Sequence, residues 1–150
     1  MSMFGGLEIS ASGLTAERMR MDVAAENLAN AQTTRGDGGG PYRRKAVVLQ
    51  EAGNAGFGAQ LRTAMGSPAG GGRAPGGVQV AGIQEDPSAP RRVYDPGHPD
   101  ADGEGYVNMP NVDTVAEMVD LITASRGYEA NVTAMQASKQ MFTKTLELLR

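Results

Sequence analysis

Apolar residues recur on a seven-residue beat through the last forty positions of the chain. Leu121, Tyr128, Met135, Phe142 and Leu149 are spaced by sevens, and a second row runs Met118, Ser125, Val132, Lys139, Leu146. Together the rows make an a/d seam, the pattern of a helix that packs lengthwise on another helix. Pro110-Asn111 interrupts the preceding chain, and Thr114 with Glu117 fits a capping box. Asp113, Glu117 and Asp120 fall in the first turns, with Lys139, Lys144 and Arg150 toward the end, as the helix macrodipole favours. The pattern predicts a helix over 114–149, roughly 54 Å long at about 1.5 Å per residue. That is longer than a domain of this size needs for its core.

A second seam lies near the N-terminus. Leu7, Leu14, Met21 and Leu28 are again seven apart, with the small residues Ala11, Ala24, Ala25 and Ala31 close to the same stripe. A narrow Leu/Ala seam lets a neighbouring helix approach closely. A helix over 7–31 is predicted, starting anywhere between Phe4 and Gly13, with Ser10, Ser12 and Thr15 as alternative caps. Gly13 marks a kink or a close contact. Asn27 and Asn30 weaken the helix, and Thr33-Thr34-Arg35-Gly36 ends it. Their amides are placed to bond the last-turn carbonyls or a neighbouring chain.

Alternation replaces the heptads in the middle. Tyr42–Gln50, Val78–Ile83 and Arg92–Tyr94 are strand candidates. Between them 51–77 is rich in Gly and Ala and reads as loop or linker. Residues 94–110 carry several Pro and Gly and read as an extended, turning loop leading into the last helix. The expected fold is mainly α with a small β lobe. Residues 1–35 and 112–150 form a helical domain, paired as a coiled-coil-like, antiparallel or near-antiparallel hairpin, and 36–111 form the short-stranded middle region.

Composition narrows the function. The 150 residues include 21 Gly, no Trp, no Cys and 5% aromatics, which leaves little bulky surface for an enzyme-like core. Nine Met supply adaptable packing surface. A net charge of −3 argues against nucleic acid as a partner. Without Cys there is no disulfide framework and no thiolate metal site. No apolar run reaches the roughly 20 residues of a membrane span. The N-terminus lacks the basic and apolar regions of a secretory signal. On these residues alone the chain reads as cytoplasmic.

Few constellations suggest chemistry. His98 sits among Asp95, Asp100 and Asp102, a set able to ligate a divalent cation, although a solvated Pro-rich turn explains it as well. No nucleophile lies beside a base. Glu51 has no spacing that argues for a shared cleft with Glu85 or Asp86. Arg43-Arg44-Lys45 reads as an exposed strand edge or subunit contact rather than a nucleic-acid patch. The sequon Asn131-Val-Thr133 falls mid-helix and reads as packing, and Arg35-Gly36-Asp37 reads as a chance tripeptide. Ser125-Arg-Gly-Tyr-Glu-Ala-Asn131 interrupts the long helix, and Gly127 beside Tyr128 suggests close approach of another backbone.

Several of these stretches carry a resemblance. Ile9–Ala16, Met21–Ala31, Thr33–Arg35 and Gly40–Lys45 resemble the flagellar basal-body rod protein family. So do Tyr94–Asp102, Gly105–Val112, Glu117–Val119 and Ser125–Asn131, with Pro41–Lys45 and Tyr94–Asp102 closest to the proximal rod subunits of that family. The resemblance implies a non-enzymatic structural subunit of the rod. It implies a subunit that self-assembles with other rod proteins into a helical drive shaft carrying motor torque across the periplasm. The partners it implies are copies of the chain, other rod and basal-body subunits, and, in transit, the flagellar type III export apparatus. It implies a periplasmic location reached without a cleaved signal peptide, in place of the cytoplasmic reading. No cofactor, nucleic acid or small-molecule substrate is expected.

Interface residues are assigned on both helices. They are Leu7, Leu14, Met21, Asn27, Leu28 and Asn30 on the first, and Met118, Leu121, Tyr128, Asn131, Val132, Met135, Phe142, Leu146 and Leu149 on the last. The rival readings are a metal-binding protein centred on His98 and a free coiled-coil adapter.

Overall fold

The computed structural model describes residues 3–36, 39–52 and 76–148. Leu149, Arg150, Asp37 and most of the Gly/Ala-rich segment (53–75) lie outside the described residues. Two helices and four strands follow in the order α1 Met3–Ala29, β1 Lys45–Glu51, β2 Val78–Glu85, β3 Arg91–Tyr94, β4 Tyr106–Met109, α2 Thr114–Leu148. The fold is mainly α with a small β part.

Helix α1 begins earlier than the Leu7 row suggests and contains no Pro. The serine and threonine read as caps lie inside it: Ser12 Oγ donates to Ile9 O at 2.7 Å and Thr15 Oγ1 to Ala11 O at 3.1 Å, the back-bonding typical of mid-helix hydroxyls. Its end is set by amides and turns. Asn30 Nδ2 donates to Glu26 O at 2.9 Å, satisfying a last-turn carbonyl, and Thr33 N–H closes a turn onto Asn30 O at 3.0 Å.

Helix α2 runs for 35 residues, about 52 Å at about 1.5 Å per residue. It starts at Thr114 as the sequence suggests, but its cap is Asp113. Asp113 Oδ1 accepts from the N–H groups of Val115 at 3.0 Å and Ala116 at 3.4 Å. Glu117 does not close a capping box. Its side chain is turned inward, 2% exposed.

The two helices pack antiparallel. Asn27 meets Glu117 at one end of the contact, Glu17 faces Gly127 further along, and Gly13 faces Asn131 beyond that. Both glycines are close contacts, as their positions suggested. A Cβ on Gly13 would lie 2.9 Å from Asn131 Nδ2, and one on Gly127 3.1 Å from Glu17 Cδ. No ordinary side chain fits between the helices there. Ala16, Val23, Ala24 and Ala124 complete the buried seam. On α2 the second row of the seam therefore runs through Glu117 and Ala124, one residue before the Met118/Ser125 row read from hydrophobicity. Tightness of approach selects these positions, and Met118 is left 50% exposed.

The strands make two separate two-stranded antiparallel ladders, β1–β2 and β3–β4. In the first, Lys45 pairs with Glu85 and Glu51 with Val78, with a bulge at Val48/Leu49. This places Glu51 and Glu85 at opposite ends of the ladder. The ladder is laid against α1. Its Lys45 end is held at Asn27, and its other end at Ser12, whose Oγ accepts the Val78 N–H at 3.1 Å. Seven strand residues and fifteen helical residues both span roughly 23 Å, so the lengths match. Gly77 permits the close approach, because a Cβ there would collide with Ser12 Oγ.

Strand β4 was not apparent in the sequence, where Tyr106–Met109 is embedded in turn residues. It pairs residue for residue with β3, Arg91 to Met109 and Tyr94 to Tyr106. Val107 and Pro110 are almost fully buried and lead the chain into α2.

Candidate functional site

Asn27, at 1% exposure, is where both helices and the β1–β2 ladder meet. Its Oδ1 accepts from the Lys45 N–H at 2.9 Å and from the Tyr42 hydroxyl at 2.9 Å. Its Nδ2 donates to Lys45 O at 2.8 Å and to Glu117 Oε2 at 3.0 Å. All four hydrogen-bonding positions of the amide are filled. To Lys45 it presents one donor and one acceptor, as a neighbouring strand residue would.

Glu117 is the second centre of this cluster. Its Oε1 accepts from Arg44 Nε at 2.6 Å, and Arg44 Nη2 lies 3.7 Å from Asp120 Oδ2. The hydrogen bond to Glu117 raises the Arg44 pKa above its usual value. Burial, then the nearby Glu26, pushes the Tyr42 phenol up. Lys45 Nζ pairs with Glu26 Oε1 at 2.6 Å and lies 5.7 Å from the Tyr42 ring centroid. The expected basic patch is thereby divided. Arg43 is exposed, while Arg44 and Lys45 are spent on internal ion pairs. Among the described residues every buried side-chain nitrogen and oxygen has a partner. The cluster is a fastening, with no substrate-facing acid, base or nucleophile.

A second fastening ties the segment after α1 to the 94–105 loop. Asp100 Oδ2 accepts from Thr34 Oγ1 at 2.7 Å, and Oδ1 pairs with Arg35 Nη2 at 2.5 Å. The Thr34 hydroxyl, and after it Arg35 and His98, hold the Asp100 carboxyl below its ordinary range. His98 Nδ1 accepts the Asp100 N–H at 3.1 Å. Asp95 bonds the Gly97 N–H, and Asp102 accepts from the N–H groups of Glu104 and Tyr106 and from Arg92. The carboxylates around His98 thus serve turns. No three acidic or His side chains among the described residues are grouped to hold a metal. Gly105, at φ +82°, lets the chain pass under the Tyr94 ring, which packs edge-on against Tyr106 at 5.2 Å.

The assigned interface residues divide into three environments. Asn27 is buried in the fastening. Leu7, Leu14, Met21, Leu28, Asn30, Leu121, Tyr128, Asn131, Val132 and Met135 are half-buried. Met118, Phe142 and Leu146 are exposed. Asn131 donates to Gly127 O at 3.0 Å inside the helix contact, which accounts for the sequon as packing. Sequence reading missed Glu117 and Tyr42 as partners of Asn27, and Arg44 as the partner of Glu117; an acidic residue in a first helical turn gives no sign that it is buried. It also missed Val115, Val119 and Ile122. With Met118 these fall at i, i+3, i+4 and i+7, on the face of α2 opposite Glu117 and Ala124, and all four are at least half exposed. Met141, at 61% exposure, and Leu146, at 53%, are exposed apolar residues on other sides of α2 near its far end.

Comparison with known proteins places the chain in a family. Residues 7–35 match the family model for the flagella basal body rod protein, and 104–148 match that for the C-terminal region of flagellar basal body rod FlgEFG proteins. The chain is 51% identical to the flagellar basal-body rod protein FlgC of Bacillus subtilis (strain 168), over 99% of both chains. It is 45% identical to FlgC of Escherichia coli O157:H7, over 99% of this chain and 98% of the relative. It is 39% identical to FlgC of Aquifex aeolicus (strain VF5), over 98% of this chain and 97% of the relative. The matched stretches include both helices and the Asn27–Glu117 fastening between them. The chain belongs to the FlgC family of flagellar basal-body rod proteins, which are structural subunits and not enzymes.

Proposed function

We propose that the chain adds to copies of itself and to other rod and basal-body subunits, forming a helical shaft that carries motor torque across the periplasm. The observation that carries this is the apolar surface on α2. Val115, Met118, Val119 and Ile122 face away from α1, and Met141 and Leu146 stand beside its far end. A contiguous apolar helix face is covered when another helix meets it. One surface meeting a different surface on the next copy gives a head-to-tail assembly that grows without closing.

In this reading 1–35 and 112–150 form the inner helical domain, and 36–111 a lobe at larger radius. The heptad rows through Leu121, Tyr128, Met135 and Val132 pair as a coiled coil across subunits as well as within one. Passage through the flagellar type III export apparatus, without a cleaved signal, fits a seam built of Gly, Ala and Val. Such a seam buries little apolar area, so it opens at modest cost for passage as an unfolded chain. No helix among the described residues is long and apolar enough to cross a membrane.

The test is the pair Ile122→Asp and Leu146→Asp. Each is expected to leave the protein exported but to block rod completion and motility, because a charge would be buried at a subunit contact. Normal swimming in the double variant would sink the proposal.

A further inference from the structure

The seam between α1 and α2 leaves its own register ambiguous. Its contacts repeat on the heptad, with Gly13 and Ala16 on one helix and Ala124 and Gly127 on the other. Consider α2 displaced by seven residues toward the start of α1. Asn131 would then face Gly6, where nothing lies within 4 Å of a built Cβ. Ala124 would face Gly13, and Glu117 would face Arg20, a new ion-pair partner. Glu17 would come near Asp120, but at the partly exposed margin, where such pairs weigh little. At these positions small residues face polar side chains in the observed arrangement and Gly13 faces Ala124 in the displaced one, so neither forces a large apolar side chain between the helices.

The fastening does choose. In the displaced arrangement Asn27 would lie opposite Pro110, whose side chain offers no acceptor, and its Nδ2 would lose Glu117. Arg44 would lose the Glu117 oxygen it now meets at 2.6 Å. Asn27 and Glu117 are buried, so leaving their polar atoms unpaired is costly, whereas sliding the seam is not. We propose that Asn27 and Glu117 set the register of the helix pair, anchoring α2 to the Lys45 end of β1 and so fixing how far it projects past the start of α1. Buried polar pairs specify register in other helix pairs by the same asymmetry of cost. The inference concerns the single chain and holds whatever the exposed faces of α2 meet.

Because the chain has no Cys, two introduced cysteines at the exposed positions Ala25 and Ala137 take spin labels cleanly. Pulsed dipolar spectroscopy on the full chain is expected to give one distance. In the Glu117→Ala background a second population is expected, lengthened by about 10 Å, the rise of one heptad at about 1.5 Å per residue. Glu117→Gln keeps an oxygen to accept from Asn27 and is expected to give the single original distance. A folded Glu117→Ala protein with only that distance would overturn the proposal and assign register to the glycine contacts. Should Glu117→Ala lose its helical signal, Asn27→Ala carries the same expectation, since it leaves the Glu117–Arg44 pair in place. Loss of helix in both variants would also overturn it, because the pair would then be required for the helices to form at all.

Discussion

The two ends of the helix pair are built by opposite rules. At the Asn27–Glu117 end, polar groups are buried and fully matched, and both helices are tied to a strand. At the far end α2 presents Met141, Phe142 and Leu146 at 61, 41 and 53% exposure, with no comparable cluster beside them among the described residues. One end ties the chain internally through matched polar groups, and the other leaves apolar side chains exposed, the surface proposed above to meet other copies. The contrast teaches that specificity and assembly energy reside in different places on one pair of helices. A change at the fastened end should damage the chain itself, while a change at the open end should damage only what the chain builds.

The largest effect on the isolated chain is expected from Glu117→Leu. It strands the Arg44 guanidinium and one Asn27 N–H, and should cost about 3 kcal/mol of stability in urea unfolding. If it cost no more than Leu146→Asp at the open end, expected to lie within about 0.5 kcal/mol of the parent, the contrast would collapse. Gly127→Leu comes next. A Cβ there already lies 3.1 Å from Glu17, so overpacking should cost about 2 kcal/mol and lower the melting temperature. The smallest effect concerns pH. The Asp100 carboxyl is held below its ordinary value near 3.8 by Thr34 and Arg35 in the folded chain. Its contribution is complete above that value and is lost as pH falls through the lower folded value. Asp100→Asn should therefore narrow the stability difference between about pH 6 and about pH 3. Asp102, depressed mainly by the Tyr106 N–H, should behave likewise.

Much of this layout was legible from residue order. The heptads gave α2 and its start at Thr114, alternation gave three of the four strands, and Gly13 and Gly127 announced the close approach. What escaped reading did so for physical reasons. Met118 outranks Glu117 in hydrophobicity, yet Glu117 is the residue buried, because Asn27 and Arg44 satisfy its carboxylate. That arrangement depends on partners eighteen and ninety residues from Asn27, beyond the reach of any local pattern. Strand β4 is four residues long and owes its form to pairing with β3. The cap shifted from Thr114 to Asp113 because the carboxylate reaches two N–H groups.

The way Asn27 holds Lys45 has a consequence for solubility. Among the described residues the ladder has two strands, and the edge of such a ladder can invite a strand from another molecule. Asn27 fills both groups of Lys45, the first residue of β1, and the body of α1 lies beyond it. A polymer-forming protein has particular need of such a stopper. In the proposed shaft copies meet through their helices, and a strand-to-strand contact between loose copies would lead instead to fibrous aggregate.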